Sequence, residues 1–244
     1  MIRTSIVAVA IIAALIPSIS GHGMTMDPVA RGSRWRCQSS APTNWDDTEL
    51  WCGGMFVQIQ NGGRCGMCGD NWAHPEPRRH ELGGQFGQGE IVKNYTSGSV
   101  IDVGVRVTVN HLGFFVFNLC CLDHFGRETD ACFNEHPLLD SQGRRQWFLN
   151  STESRMYNVN LQLPRNLVCS HAVLQWTYTA GNNWGICPDG SGALGCGPQE
   201  HFRTCSDIGI FNAGDDRLAN SFEYCVNPRS FDDDIPEEDM IHVI

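Results

Sequence analysis

One alternating segment, Val103-Gly104-Val105-Arg106-Val107-Thr108-Val109-Asn110, decides the fold class. Its valines stand at every second position, so an extended chain places all of them on one face and the intervening residues on the other. His111 continues the valine face where this segment ends. Alternation of β-branched residues favours a strand with one buried face over a helix.

Two further segments have strand patterns. Val159 to Leu163 alternates in the same way, and Cys169 to Thr179 is rich in β-branched and aromatic residues without a helical stripe. Glycine and proline turn signals separate these short segments. We therefore predict an all-β fold, an immunoglobulin- or fibronectin-like antiparallel β-sandwich with long, disulfide-stapled loops.

Composition limits the class of protein. The chain has 244 residues, 12 cysteines, 18% charged residues and a formal net charge of −10. This length buries a sizeable core, and an even number of cysteines permits complete pairing in an oxidising compartment, with six disulfides as the upper limit. The excess of acidic over basic residues argues against a nucleic-acid partner, because contact with a phosphate backbone needs surplus lysine and arginine.

The first residues predict export. A basic residue, Arg3, precedes an apolar run from Ile6 to Ile16 that is too short to span a bilayer comfortably, which is typical of a signal peptide. The small residues at the cleavage region slightly favour a cut after Ser20, whereas a cut after the next residue leaves His22 first. We place the signal peptide at residues 1–21 because of the chemistry that His22 then acquires.

The remainder predicts one secreted domain. No linker or repeat interrupts residues 22–228, and no second apolar stretch reaches membrane-spanning length. Residues 229–244 form an acidic tail with few core-forming residues, for which we predict disorder. Two glycosylation sequons begin at Asn94 and Asn150, so a glycoprotein is expected, although sequons are common by chance.

The cysteine motifs indicate disulfides. Cys65 and Cys68 have the spacing of a zinc knuckle or a redox dithiol, but no second such pair occurs in the sequence. Cys120 and Cys121 are adjacent, and adjacent cysteines usually bond to separate partners. Both motifs are predicted to act as structural staples.

Histidine is the residue type that indicates metal binding in this sequence, which contains nine histidines. If His22 is the mature N-terminus, its α-amino nitrogen and its ring can bind one metal ion together. His111, at the end of a predicted strand, is the best source of a third nitrogen; the alternative is an ordinary hydrogen-bonded core histidine. Three nitrogens in a plane suit copper, which also binds most tightly in the divalent series.

Four motifs together resemble a lytic polysaccharide monooxygenase of auxiliary-activity family 15, a group related to the chitin-binding type-4 domain. They are His22-Gly23, Cys65-Gly66-Met67-Cys68-Gly69-Asp70, Val109-Asn110-His111-Leu112-Gly113-Phe114-Phe115 and Gly197-Pro198-Gln199-Glu200-His201-Phe202-Arg203-Thr204-Cys205-Ser206-Asp207-Ile208. They occur in the family's order and cover nearly the whole chain after residue 21. The resemblance implies one copper ion held by His22 and His111 in a histidine brace.

The resemblance also assigns neighbouring residues. Phe202 matches the axial aromatic position, and Glu200 resembles an outer-sphere acid that hydrogen-bonds an oxygen species or relays a proton, although a surface acid near a loop is the alternative. His171 is expected in the core, away from the metal, and strand alternation turns His201 to the opposite face. The remaining candidates are expected at the surface without a role: His74, His80, His124 and His136.

The implied function is a secreted, monomeric copper monooxygenase that cleaves β-1,4-linked polysaccharide oxidatively, chitin ahead of cellulose. It would use an external electron donor and oxygen or hydrogen peroxide, and would attack C1 or C4 beside the glycosidic bond. A crystalline polymer requires a flat face, to which Trp35, Trp51 and Trp72 could contribute. The alternatives are a noncatalytic carbohydrate-binding protein on the same fold and a structural or signalling domain with incidental histidines.

Overall fold

The computed structural model describes residues 22–219. The predicted signal peptide at residues 1–21 and the predicted tail at 229–244 lie outside the described residues, as do the last nine positions of the predicted domain. Twelve strands make up most of the regular structure of the described part: β1 (His22–Asp27), β2 (Lys93–Thr96), β3 (Val100–Val109), β4 (Phe114–Cys121), β5 (His136–Pro137), β6 (Leu139–Asp140), β7 (Trp147–Phe148), β8 (Met156–Gln162), β9 (Cys169–Thr179), β10 (Trp184–Ile186), β11 (Gly192–Leu194) and β12 (His201–Phe211).

The helices of residues 22–219 are all short. They comprise a 3-10 helix (Arg31–Arg36), α1 (Met55–Gln60), α2 (Leu122–Phe125), α3 (Asp130–Glu135) and α4 (Asp216–Ala219). Within the same residues no helix has the length and apolar character needed to cross a membrane.

Two sheets pack face to face. One has the strand order β1-β3-β8-β6, and the other has the order β2-β12-β9-β4-β5 with β7 also paired to β4. Strands β10 and β11 form a separate hairpin. The strand pairs are antiparallel except for β12 and β2, which run parallel. The predicted β-sandwich of immunoglobulin type is confirmed.

The alternating segment behaves as its pattern predicts. Val103, Val105 and Val107 are fully buried in β3, and β8 places Val159 opposite Val103 and Leu161 opposite Ile101 in the same core. Burial of each such side chain contributes about 1.5–3 kcal/mol. The strand ends at Val109, so His111 lies just beyond the sheet edge.

A second apolar cluster covers the outer face of the larger sheet. It includes Met67, Phe133 and Val173, with Trp72 packed against it. This cluster explains why β12 is buried on both faces over most of its length. The long segment between β1 and β2 therefore acts as a third layer.

One disulfide, Cys68–Cys205, joins this layer to β12. Five disulfides lie within residues 22–219: Cys52–Cys65, Cys68–Cys205, Cys120–Cys132, Cys121–Cys169 and Cys187–Cys196. Cys37 is also disulfide-bonded, and no described cysteine is free. The adjacent cysteines have separate partners, as predicted.

Candidate metal centre

Strand pairing brings the two candidate ligand histidines to one edge of the molecule. His22 opens β1 and lies opposite Val109 of β3, which is two positions before His111. The amide of Gly23 donates to Thr48 O at 3.0 Å, so the start of β1 is held from both sides. The location of His22 thus follows from the sheet register.

The ring of His22 presents its two nitrogens to different surroundings. Nε2 lies 2.8 Å from Oε1 of Glu49, and this hydrogen bond lowers the pKa of the Glu49 carboxyl. Nδ1 is buried and has no hydrogen-bond partner among the residues that the structure describes. A buried nitrogen without a partner is costly, so this atom is suited to receiving a ligand.

His111 sits in a tight turn after β3. Its amide donates to the hydroxyl of Tyr178 at 2.9 Å, and the amide of Gly181 donates to its carbonyl at 3.0 Å. Before it, the side chain of Asn110 accepts from Leu112 N at 2.8 Å, which closes an Asx turn. These backbone bonds fix the position from which the His111 ring projects.

Asn182 contacts the ring of His111. The amide nitrogen of Asn182 lies 2.9 Å from Nδ1. Burial lowers the pKa of His111, and the charge of His22 lowers it further. Both effects favour the neutral ring that a metal requires.

Phe202 forms the floor of this region. It is fully buried on β12, its ring centroid lies 6.4 Å from that of His22, and it stacks on Tyr178 at 5.8 Å. Burial raises the pKa of Tyr178 well above its ordinary value, so this hydroxyl stays protonated and available to His111 N. Beneath the two histidines lies an aromatic layer that excludes water.

Glu200 immediately precedes β12 and is buried, so its interpretation as a surface acid is wrong. Its carbonyl accepts from Ala180 N at 3.0 Å. Its negative charge contributes to the raised pKa of Tyr178. The carboxylate therefore belongs to the same buried neighbourhood as the aromatic layer.

His201 faces α1. Its Nδ1 lies 2.7 Å from Nε2 of Gln58, and burial, followed by the charge of Arg203, lowers its pKa to about 4. The structure therefore separates His201 from the neighbouring Phe202 by strand alternation, as expected.

Two histidine expectations are wrong. His171 is not a core residue: 23% of its side chain is exposed, and Nε2 lies 2.7 Å from Oδ1 of Asp207. His80 is not a surface residue, because it is buried with Nδ1 2.8 Å from Asp70 and its ring stacked on Phe86. His74 and His124 are exposed and His136 is half-buried.

The expected tryptophan face is also wrong. Trp35 is buried, Trp51 is partly buried against the main core, and Trp72 packs on the second cluster with the Arg78 guanidinium 4.6 Å from its ring. All three rings are used in packing, and Trp35 offers no open face. The sequence did not distinguish core from surface tryptophans.

Other apolar side chains are exposed beside the histidines. Asn183, next to the His111 neighbour Asn182, donates to Sδ of Met55 at 3.0 Å and so joins α1 to the start of the β10–β11 hairpin. Phe56 on α1 is 79% exposed and Trp184 on β10 is 65% exposed. These elements flank the candidate ligands.

The hairpin carries its apolar residues on one face. Trp184 pairs with Leu194, and Ile186 lies two residues along β10 on the same side; all three are exposed. The Trp184 ring covers Gly192, where a Cβ would come within 2.3 Å of it. Glycine at this position allows the indole to lie against the strand with its other face open.

Sequence reasoning missed Glu49, Asn182 and Tyr178. Glu49 stands 27 residues from His22, and Asn182 stands 71 residues from His111. Because neither pair forms a local motif, only the folded chain brings them together.

Comparisons with known proteins agree with this architecture. The family described as "Lytic polysaccharide mono-oxygenase, cellulose-degrading" matches residues 22–208. The AA15 lytic polysaccharide monooxygenase of Thermobia domestica, solved in the Cu(I) state, is 42% identical, with a TM-score of 0.75 over 78% of this chain and 98% of that chain. No curated protein matches this chain.

Two more distant structures are also similar. Cellulose-active CelS2 with copper is 15% identical, with a TM-score of 0.38 over 79% of this chain and 100% of that chain. Entomopoxvirus fusolin with zinc is 14% identical, with a TM-score of 0.40 over 78% and 77%. The extent of the family match and the 42% identity establish that this chain belongs to the lytic polysaccharide monooxygenases, in family AA15, and is a copper-dependent polysaccharide monooxygenase.

Proposed function

We propose that this protein is exported, binds one copper ion through His22 and His111 in a histidine brace, and cleaves a crystalline β-1,4-linked polysaccharide oxidatively, chitin ahead of cellulose. The co-reactants are an external electron donor and oxygen or hydrogen peroxide. The observation that supports the proposal is the buried Nδ1 of His22, which has no hydrogen-bond partner in the described part of the chain. Near it lies His111, whose pKa is lowered by burial and then by the charge of His22.

The donor set fits copper. Export with cleavage after Gly21 would free the α-amino nitrogen of His22, and that nitrogen with Nδ1 of the same residue forms a chelate. On His111, the amide of Asn182 can turn about its last bond so that its oxygen accepts from Nδ1–H, which leaves Nε2 as the third donor. Nitrogen donors of this kind favour copper over magnesium or calcium.

Bound copper supplies the one-electron chemistry that activates oxygen or peroxide for attack on a C–H bond at C1 or C4 of the sugar. The protein residues do the remaining work. Phe202 offers no ligand atom and, with Tyr178, keeps water away from the inner side of the two histidines. Glu200 is the carboxylate assigned to hold or pass a proton near the site.

The polymer-binding face is proposed on both sides of the histidines. Phe56 on α1 and Trp184 on the hairpin are open aromatic rings suited to stacking on pyranose faces. The acidic net charge of the chain suits an uncharged polymer better than an anionic one.

The decisive experiment uses protein whose first residue is His22. Isothermal titration measures copper binding, and mass spectrometry measures oxidised oligosaccharides released from crystalline chitin and from cellulose. We expect His22→Ala and His111→Ala each to abolish tight copper binding and oxidised products. His74→Ala, which alters an exposed histidine, serves as the matched control and should behave as the wild type.

Two outcomes would contradict the proposal. Unchanged copper binding in His22→Ala would refute the proposed histidine brace. Chitin binding without oxidised products would favour a noncatalytic carbohydrate-binding protein. Intact mass of the secreted protein shows whether the chain begins at His22 or at Gly21.

A further inference from the structure

The backbone around Glu49 is anchored beside the ring of His22. The carbonyl of Thr48 accepts from Gly23 N at 3.0 Å, and the carbonyl of Leu50 accepts from Arg203 N at 2.9 Å. The backbone on either side of Glu49 is therefore bonded to β1 and to β12, the strands that carry His22 and Phe202. This anchoring fixes the backbone from which Glu49 reaches His22; its Oε1 lies 2.8 Å from His22 Nε2, and the Glu49 side chain is 46% exposed.

The contact selects one tautomer of the imidazole. An ionised carboxylate only accepts hydrogen bonds, so Nε2 of His22 must carry the hydrogen. The neutral ring then has its lone pair on Nδ1, the buried atom without a partner in the described part of the chain. Opposite sides of one ring thus hold a fixed donor hydrogen and an open lone pair.

We propose that Glu49 is a positioning residue for the metal, which holds His22 in the tautomer that offers Nδ1 and places a negative charge behind the ring. The inference rests on the proposed function of His22. Carboxylates that accept from a metal-binding histidine orient the ring and increase its basicity, and their loss typically weakens metal binding by about 10–100-fold. A negative charge at this place also favours the more highly charged Cu(II) over Cu(I).

The chain allows orientation and charge to be separated. Glu49→Gln keeps an oxygen that can accept from Nε2–H but removes the charge, whereas Glu49→Ala removes both. Asp46→Asn is the matched control, because Asp46 is an exposed acid three residues away whose loss changes the net charge equally. None of these side chains belongs to the core, so thermal unfolding should stay close to the wild-type value.

Two readouts besides activity test the role. Nitrogen-15 NMR of the metal-free protein should show the Nε2–H tautomer of His22 in the wild type and Glu49→Gln, and a mixture of tautomers in Glu49→Ala. Competition titration with a chelator should show Cu(II) binding weakened about 10–100-fold in Glu49→Ala and less in Glu49→Gln. The copper reduction potential should rise in both variants, and Asp46→Asn should match the wild type.

The outcomes separate the two proposals. If wild-type protein fails to bind copper through His22, the proposed function fails, while the NMR result still decides whether Glu49 sets the tautomer. If wild type binds copper and Glu49→Ala retains the same tautomer and the same affinity, the positioning role of Glu49 is overturned and the brace is not.

Discussion

Replacement of Arg31 by methionine should destabilise this protein strongly at neutral pH. The Arg31 guanidinium donates to both oxygens of Asp207, from Nε at 2.7 Å and Nη2 at 2.6 Å, and to Oε1 of Glu128 from Nη1 at 2.5 Å. The three side chains are at most 3% exposed. Methionine would fill much of the space but leave two buried carboxylates without their cation.

The expected decrease in the free energy of unfolding depends on which hydrogen bonds each carboxylate keeps in the variant. Asp207 keeps its contact with His171 Nε2 at 2.7 Å, and Glu128 keeps its bond from Leu82 N at 3.2 Å. Removal of one partner from a buried ion pair costs about 3–5 kcal/mol, and these remaining contacts place the expected loss at about 3–4 kcal/mol at pH 7.

The decrease in the free energy of unfolding caused by Arg31→Met should depend on pH. Burial alone would raise the pKa of Asp207, but the charge and hydrogen bonds of Arg31, followed by those of His171, lower it to about 2 from an ordinary value of 3.8. A lowered folded-state pKa stabilises the wild type above about pH 4, by about 2–3 kcal/mol, and this stabilisation is lost as the pH falls towards 2. In the variant, burial of Asp207 is opposed by His171 alone, so the pKa of Asp207 is higher than in the wild type and protonation relieves the penalty.

Urea unfolding at pH 7, 5 and 3, with disulfides intact, measures the difference in free energy of unfolding. The gap between wild type and variant should narrow by about 2 kcal/mol or more between pH 7 and pH 3. Arg127→Met is the control, because that side chain is 70% exposed and pairs with half-exposed Glu76, a contact worth less than about 1 kcal/mol. A loss below about 1 kcal/mol at pH 7, or a gap that does not change with pH, would refute the reasoning.

Three further outcomes are expected. Trp184→Ala should weaken binding to crystalline polysaccharide by about 0.5–1.5 kcal/mol, roughly two- to tenfold, in a pull-down isotherm. Gly113→Ala should cost more than about 2 kcal/mol in urea unfolding, because φ is +86° and its Cβ would lie 2.0 Å from Thr179 O. Asn150→Gln should remove one glycan from protein secreted by eukaryotic cells, seen by intact mass, since Asn150 is exposed.

Each of these three variants has a matched control. Leu139→Ala alters an exposed apolar residue of β6 and should leave polymer binding unchanged. Gly143→Ala has φ +77° but open space around its Cβ, so it should cost only the backbone strain of about 1 kcal/mol. Asn94→Gln should change no glycan mass, because Asn94 Oδ1 is buried and Nδ2 donates to Arg217 O at 2.9 Å. Equal effects in a variant and its control would count against the corresponding prediction.

Much of the sandwich could be predicted from local patterns. Residues 103–109 are recognisable as a strand because their side chains alternate at every second residue over one buried face. Residues 169–179 are recognisable from their β-branched and aromatic composition, and this strand is buried on both faces over its middle part. The separate partners of Cys120 and Cys121 also follow from a local constraint. Such features need no knowledge of distant parts of the chain.

The surroundings of the candidate ligands could not be predicted in this way. Glu49 and Asn182 lie in loops without periodicity, and their contacts depend on how β1 and β9 bring remote segments to one edge. The exposure of Trp184 and the burial of Trp35 depend on which loop forms the outer layer. Side-chain type alone carries no information about that choice.

The β10–β11 hairpin is structurally separate from the core, so substitutions in the hairpin and substitutions in the core should have different effects. It forms its own two-stranded sheet closed by Cys187–Cys196, and none of its side chains belongs to either core cluster. Substitutions at Trp184, Ile186 or Leu194 should therefore cost little folding stability, and under the proposed function they would alter polymer binding. If the proposed function holds, substrate preference could diverge among related chains through this exposed arm while the two proposed copper ligands stay the same.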